Sequence, residues 1–525
     1  MVLFLTILTI YTETLQPTVP GGDAGELVTE AYQLGLPHPP GYPLHSLLGY
    51  VASHSISIFN NQTSYPGSVA QHINFLSSIL GALAGINIYC TVLYLPGLFT
   101  ANELLHHLTA CLAAISYCFS PLVWTYSITA EVFALNNFFS SFIVLMAVYL
   151  VTQTTSGTYY AQKGCLLGAF MCGLGLTNQH SLIFFVVPIG VLALLWGLPK
   201  EKPTETDTET IEIENINTES KQANQEDVQE TTDTAKNGII VAPYPSFSFI
   251  VLCGCFGFLG LSLYLIYFPI ATGKRGSWGD GTTVLGMYTH LLRREYGTFM
   301  LHPDMVSDEG MVERTKLYLQ HILTQTSIRL PNFNFNYFIF NFEQNDNQST
   351  LFSPTSNPAK FANGDEDIGV WTSLLTYFII SLGCLSTVLP FQTATSSSYG
   401  GWVLLLVWCF YLIFFHSLSN IDLNEALTFA VHARFWMQPN VIVFVWLGCG
   451  IRAMIESLCY VIQSCMTSIH TCLCTSKQMQ NMERQKSYPN TETSQKKKNS
   501  FYRQHTIATQ MSSLHAFSYV LHQAC

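Results

Sequence analysis

Two carboxylates open the chemistry of this chain. They sit in Gly21-Gly22-Asp23-Ala24-Gly25-Glu26, just after the first apolar stretch, and are three residues apart. The glycines allow tight backbone turns at no steric cost. If Glu26 lies in the first turn of a helix, Asp23 is its N-cap and Glu26 the reciprocal partner of a capping box. A carboxylate pair held at a membrane surface is equally suited to taking a proton from a hydroxyl. The two readings are compatible, because a cap fixes where a carboxylate points. Shortly downstream comes Leu36-Pro37-His38-Pro39-Pro40-Gly41-Tyr42-Pro43. Its prolines remove backbone donors and stiffen the path. A rigid loop accounts for the prolines but not for His38 and Tyr42 between them, which offer a polar wall.

The elements that must position these groups are membrane helices. The chain has 525 residues, 49% hydrophobic and only 10% charged, against about 25% charged in soluble domains. Apolar stretches fall near 2–14, 72–98, 103–122, 132–152, 164–178, 180–197, 247–270, 369–390, 402–418 and 439–462. Most approach the roughly 20 helical residues needed to cross a hydrocarbon core. An all-α polytopic membrane protein follows, with about 9–11 transmembrane helices. The first stretch is short for a span. Segment 42–59 is broken by His45, Ser46, Ser53 and His54, and reads as a helix lying in the interface.

Four regions result. Residues 1–197 form an N-terminal bundle whose first loop, 15–71, carries the carboxylates and short interfacial helices. Residues 198–245 form a disordered acidic loop, and 246–464 a second bundle with an extramembrane segment at 271–368. Residues 465–525 form a low-complexity tail. The formal charge of −11 is local: 201–236 holds 11 acids against three lysines, in an aromatic-free stretch unable to build a core. Nothing suggests nucleic-acid binding.

A cytosolic N-terminus places Asp23, Trp124–Glu131, Asn178–His180, 271–368 and Ile421–Met437 on the lumenal side. The acidic loop and the tail, with Lys496-Lys497-Lys498, then lie in the cytosol, in line with the positive-inside tendency. The N-glycosylation acceptors Asn61 and Asn347 both fall in lumenal segments. Met1–Tyr11 has no basic flank or small-residue cleavage site, which argues against a cleaved signal peptide. The 15 cysteines show no disulfide framework. Cys465, Cys472 and Cys474 suit palmitoylation, and free thiols fit equally well.

The two first-loop motifs, in this order, resemble the first lumenal loop of GT-C-type membrane glycosyltransferases, in particular the transmembrane protein 260-like protein O-mannosyltransferases. The resemblance continues through Trp124-x-Tyr126-Ser127-Ile128-x-Ala130-Glu131, Gly175-Leu176-Thr177-Asn178-Gln179-His180, Trp278-Gly279-Asp280, His290-Leu291-Leu292-Arg293-Arg294-Glu295 and Arg434-Phe435-Trp436-Met437-Gln438-Pro439. It covers roughly residues 12–460 and implies a GT-C-like bundle in the endoplasmic reticulum membrane with a lumenal active site. It also implies transfer of mannose from the lipid donor dolichyl-phosphate mannose to Ser or Thr of folded secretory-pathway domains, the IPT-type domains of plexin-like receptors. No cofactor is implied, since the lipid-linked donor is a substrate.

In that chemistry a hydroxyl needs a base, for which Asp23 is the expected residue, with Glu26 as orienter or second acid. The lipid phosphate leaving group needs positive charge. Arginine's planar fork suits it, and Arg434 is expected there ahead of Arg293 and Arg294. The alternatives are an interfacial anchor beside Trp436 for Arg434, and for the Arg293-Arg294 pair a solvated face with Glu295. Glu131, at the mouth of a span, is a donor- or acceptor-binding candidate or simply a charge at a helix N-terminus. Trp278 and Asp280 suit stacking and hydrogen bonding to a sugar, although a turn explains Asp280 nearly as well. His38, Tyr42 and His180 complete the binding candidates, and His180 also reads as an interfacial histidine. No cluster has metal-ligand spacing, so metal-independent chemistry is expected.

Two other readings remain. One is a non-catalytic transporter or lipid-linked sugar binder. The other is a truncated, inactive form, since such enzymes often continue into tetratricopeptide-like repeats where this chain has a low-complexity tail. A transporter needs ionisable groups along a path through the bundle, whereas here they gather at span ends.

Overall fold

The computed structural model describes residues 1–54, 69–95, 102–153, 159–196, 247–294, 297, 309–326, 366–389, 398–424 and 426–486. Every regular element among them is helical. In chain order these are α1 (Val2–Glu13), α2 (Ala24–Gln33), α3 (Pro43–His54), α4 (Val69–Tyr94), α5 (Glu103–Cys118), α6 (Pro121–Ser127), α7 (Val132–Gln153), α8 (Tyr159–Leu176) and α9 (Ile183–Trp196). After the undescribed 197–246 come α10 (Phe247–Leu261), α11 (Leu263–Ala271), α12 (Val284–Leu291), α13 (Met311–Thr326), α14 (Glu366–Val388), α15 (Ser398–Leu418), α16 (Ala426–Ala433) and α17 (Met437–Lys486). The acidic loop, the two glycosylation acceptors Asn61 and Asn347, and Lys496–Lys498 lie outside the described residues.

The protein is an all-α polytopic membrane protein. Five described helices are long and apolar enough to cross a bilayer, or six if α5 and α6 form one broken span. Val2–Glu13, His180–Leu194 and Thr372–Val388 are shorter apolar helices. By length alone the described spans therefore fall short of the nine to eleven read from hydropathy. The single span expected at 103–122 is instead bent by 69° between α5 and α6. Ser120 is extended ahead of Pro121, which has no N–H to continue the helix. The last helix runs beyond Cys465 to Lys486, because residues 465–486 contain neither Gly nor Pro. At 12 residues, α3 is too short to cross.

The core gathers around the start of α17, where Val441, Ile442, Val443, Phe444 and Val445 are all buried. A helix apolar on every face belongs in the interior. It packs on α4, α5, α7 and α14. By contrast α10 and α11 expose Val251, Phe258, Leu265 and Ile266, as a lipid-facing helix does. Glycines bring some helices into backbone contact: a Cβ on Gly450 would lie 1.9 Å from the Ile379 carbonyl of α14.

Candidate functional site

The first loop is built to turn its carboxylates away from their own helix. Gly22 takes φ +75°, a region glycine enters freely, and Asp23 follows at the N-cap of α2. The side chain of Asp23 makes no capping hydrogen bond; only its carbonyl accepts from Leu27 N–H, at 3.0 Å. The capping box drawn from the sequence is therefore not formed. Glu26 reaches across to the next motif, accepting from His38 N–H at 2.6 Å and standing 3.0 Å from His38 Nδ1. The apolar face of α2 (Ala24, Leu27, Val28, Ala31) is buried against α3 and α4, which leaves the acids on its free side.

The proline loop owes its path to contacts from far along the chain. Gly41 lies at φ +91° and Tyr42 at φ +39°. Trp278 N–H donates to Leu36 O at 2.8 Å, and His290 Nε2–H to Pro37 O at 3.0 Å. Burial lowers the His290 pKa to about 4, so the ring is neutral and donates through that nitrogen. Leu36 N–H donates to Ser277 Oγ at 2.9 Å, and Ser277 in turn donates to the buried Glu30 carboxylate at 2.9 Å. These bonds bind the loop to the turn 274–279. With Glu26 able only to accept, a neutral His38 carries its proton on Nδ1, so Nε2 accepts from the Tyr42 hydroxyl at 3.0 Å. Glu26, His38 and Tyr42 form one hydrogen-bonded row.

Opposite this row stands Arg434, in a single 3-10 turn (Arg434–Trp436) between α16 and α17. The turn is anchored by buried Trp436, whose indole N–H donates to His416 Nε2 at 3.0 Å. Arg434 Nη1 lies 3.1 Å from Asp23 Oδ2 and 3.8 Å from Glu131 Oε1, and the guanidinium rests 5.1 Å from the centre of the Phe133 ring. The Glu131 side chain is 4% exposed and Asp23 43%. Burial pushes the Glu131 carboxyl up to about 7, against the opposing pull of Arg434. Its Oε2 has no hydrogen-bond partner.

These groups surround one cavity of about 450 Å³. Eight residues singled out from the sequence line it: Asp23, Glu26, His38, Tyr42, Glu131, His180, Arg293 and Arg434. His180 is hydrogen-bonded to Tyr264 at 3.1 Å. Arg293 reaches the cavity from the turn after α12, with φ +52°, while Arg294 lies over the Tyr288 ring at 4.7 Å. Trp278 and Asp280 do not line it. Trp278 meets the far edge of His38, with ring centres 6.5 Å apart. Asp280 closes its own turn, accepting from the Thr282 hydroxyl and, at 2.9 Å, from Thr282 N–H, and that bonding holds its carboxyl below the usual range.

Most of the rest of the wall is apolar, including Ile183, Phe184, Leu292, Phe415, Leu418 and Val431. None of these stands out in the sequence, where each is one more apolar residue at or near a helix end. Ser419, also on the wall, accepts from buried Arg314 at 3.2 Å. The cavity thus combines charged groups with a mostly apolar lining, a combination suited to an amphiphile with an anionic head. Among the described residues, no group of three or more His, Cys, Asp or Glu side chains is placed to hold a metal ion.

Comparison with known proteins gives the geometry a context. A family model described as the protein O-mannosyl-transferase TMEM260 N-terminal domain matches residues 23–204. The chain is 29% identical over 466 residues to a Dictyostelium discoideum protein named protein O-mannosyl-transferase tmem260, covering 86% of this chain and 44% of that one. It is 30% identical over 453 residues to the Mus musculus protein O-mannosyl-transferase TMEM260, covering 86% of this chain and 49% of that one. The chain thus spans about half the length of these relatives or less. No solved structure matches it.

Proposed function

Since this chain is similar to TMEM260-type protein O-mannosyl-transferases and carries the N-terminal domain match over 23–204, we propose that it is a glycosyltransferase moving mannose from dolichyl-phosphate mannose to Ser or Thr hydroxyls of secretory-pathway proteins. The observation that carries the reading is the Asp23–Arg434 pair, 3.1 Å apart on the wall of a mostly apolar cavity.

In this mechanism the acceptor hydroxyl attacks the anomeric carbon from the face opposite the phosphate, with inversion. Its proton passes to Asp23, the general base, as the new C–O bond forms. The bond from the anomeric carbon to the phosphate oxygen breaks, and its electron pair leaves on dolichyl phosphate. Arg434, with Arg293 across the cavity, stabilises the charge that gathers there. Donor binding parts Arg434 from Asp23, which frees the carboxylate to accept a proton. Glu26, His38 and Tyr42 form the polar wall beside the base, His180 adds a further polar group, and the apolar wall takes the first isoprene units of the lipid. The family resemblance supports folded IPT-type domains of plexin-like receptors as acceptors, and an endoplasmic reticulum site open to the lumen. The gathering of ionisable groups at one cavity favours transfer over transport.

The test is mannose transfer from dolichyl-phosphate mannose to isolated folded acceptor domains by the full chain and by Asp23→Asn. The wild type transfers, and the variant loses about 100- to 10,000-fold. Undiminished transfer by Asp23→Asn removes Asp23 as the base. A correctly inserted wild type without transfer removes the enzymatic reading.

A further inference from the structure

Charge around Arg434 does not balance for phosphate binding. Around Arg434 lie two carboxylates, Asp23 at 3.1 Å and Glu131 at 3.8 Å. With both ionised, the trio carries one net negative charge before an anionic phosphate arrives, and Glu26 and Arg293, also on the cavity wall, cancel each other in that balance. The incoming phosphate would then meet repulsion in a largely buried pocket, where charges are weakly screened.

The two acids stand in different surroundings. The Asp23 side chain is 43% exposed and hydrogen-bonded to Arg434. Glu26, farther along the first loop, is held by two groups of His38. Glu131 is 4% exposed, and its Oε2 is buried without a hydrogen-bond partner. A lone buried carboxylate oxygen is costly when ionised. Protonated, the same group becomes a neutral donor at the cavity wall.

We propose that Glu131 is the charge-balancing residue of this site: it takes up a proton from solvent as an anionic phosphodiester binds beside Arg434, and returns it when the site empties. The inference rests on the phosphate-binding role given to Arg434 above. No covalent bond changes; one proton moves from water to the Glu131 carboxylate for each phosphodiester bound. Asp23 thereby stays ionised as the base while Glu131 becomes neutral.

Other titratable groups face the same space. Asp23, Tyr42, Tyr126 and Arg434 are electrostatically coupled to Glu131. Glu26, His38, His180 and Arg293 line the cavity from the remaining elements. The Asp23 carboxylate opposes ionisation of Glu131, while Arg434 and, more weakly, a hydrogen bond from the Asp23 backbone favour it, so drawing Arg434 toward a phosphate weakens the larger of the two contacts that hold Glu131 ionised. Binding therefore raises the proton affinity of Glu131, whose carboxyl already titrates near neutrality because of burial.

The test is binding calorimetry of dolichyl-phosphate mannose to the full chain in lipid nanodiscs, without acceptor, in two buffers of different ionisation enthalpy. A phosphodiester keeps one charge across this range, so any proton taken up belongs to the protein. The wild type is expected to take up close to one proton per donor bound at pH 8, with Kd weakening about tenfold per pH unit above that. Glu131→Gln takes up none, binds with a flat pH profile, and at pH 8.5 binds more tightly than the wild type. Wild-type binding without proton uptake overturns the inference even if the variant fails to fold. Undiminished uptake by a folded Glu131→Gln does the same. A wild type that does not bind the donor at all overturns the phosphate-site reading, and this inference with it.

Discussion

Asp23 and Arg434 lie 411 residues apart in the chain and 3.1 Å apart in space. The first loop and the turn before the last helix, which share no local pattern, are thereby fastened across the cavity. The guanidinium is mostly buried and has two carboxylates near the same nitrogen, Nη1, so its loss should be felt in stability as well as in turnover.

Arg434→Met is expected to destabilise the protein by about 1–3 kcal/mol, because it removes the hydrogen bond to Asp23 and leaves Glu131 to take up a proton in place of its partner. Arg434→Met combined with Glu131→Gln and Asp23→Asn should recover much of that loss without recovering transfer. Thermal unfolding of detergent-solubilised protein, read beside mannose transfer, checks both. If the triple variant melts no higher than the single one, the charge trio is not what holds this region.

Arg434→Lys keeps the charge and loses the planar fork. Transfer should fall by about 10- to 100-fold, mostly in kcat, because a point charge cannot follow the departing phosphate with two parallel bonds. Steady-state kinetics against donor concentration decide it, and an unchanged kcat speaks against phosphate contact in the transition state.

The elevated Glu131 carboxyl gives a stability prediction with a definite sign. Its folded value of about 7 lies above the 4.5 of an ordinary glutamate. Between these values the folded chain holds a proton that the unfolded chain has released. The contribution is thus fully present below about pH 4.5 and lost as pH rises through 7. Melting temperature should fall from pH 5 to pH 8 in the wild type and fall less in Glu131→Gln. Parallel melting curves for the two proteins would remove Glu131 as the titrating group.

Gly41→Ala tests the proline loop. Gly41 has φ +91°, and a Cβ there would stand 2.9 Å from Leu36 Cδ1 and from the Phe268 ring. The expected cost is about 1–3 kcal/mol, from backbone strain and overpacking together. Transfer should fall too, since His38 and Tyr42 flank the displaced backbone. Equal melting temperatures for variant and wild type would show that the loop adapts freely.

Tyr42→Phe removes one hydroxyl from the Glu26–His38–Tyr42 row and leaves its ring. A loss of about 1 kcal/mol in stability is expected, together with a KM change larger than the kcat change if the row serves as a binding wall. A fall confined to kcat would assign Tyr42 to the proton path instead.

Much of this protein is written locally. Low charge and long apolar runs alone require membrane helices, because a bilayer leaves the backbone no other partner. The order of the Asp23–Glu26 and His38–Tyr42 motifs likewise singled out residues that share a cavity. Local pattern misled where a nearby partner looked sufficient. Asp23 and Glu26 have capping-box spacing, yet neither caps α2, because Arg434 and His38 compete for them from outside the helix. For Asp280 the sequence offered a sugar contact or a turn, and the side chain closes its own turn. The α5–α6 stretch is apolar enough to read as one span, and only Pro121 hints at the 69° bend.

What the sequence determined by itself was the class of fold and a short list of reactive side chains, because helix length and composition are properties of neighbouring residues. What the tertiary structure alone decided was which of those side chains face one another. It set Glu131 beside Arg434 with one oxygen unpartnered, brought apolar side chains from α9, α12, α15 and α16 to the same cavity, and kept Trp278 off its wall. Those relations depend on how distant helices pack, and no spacing within a single helix encodes them.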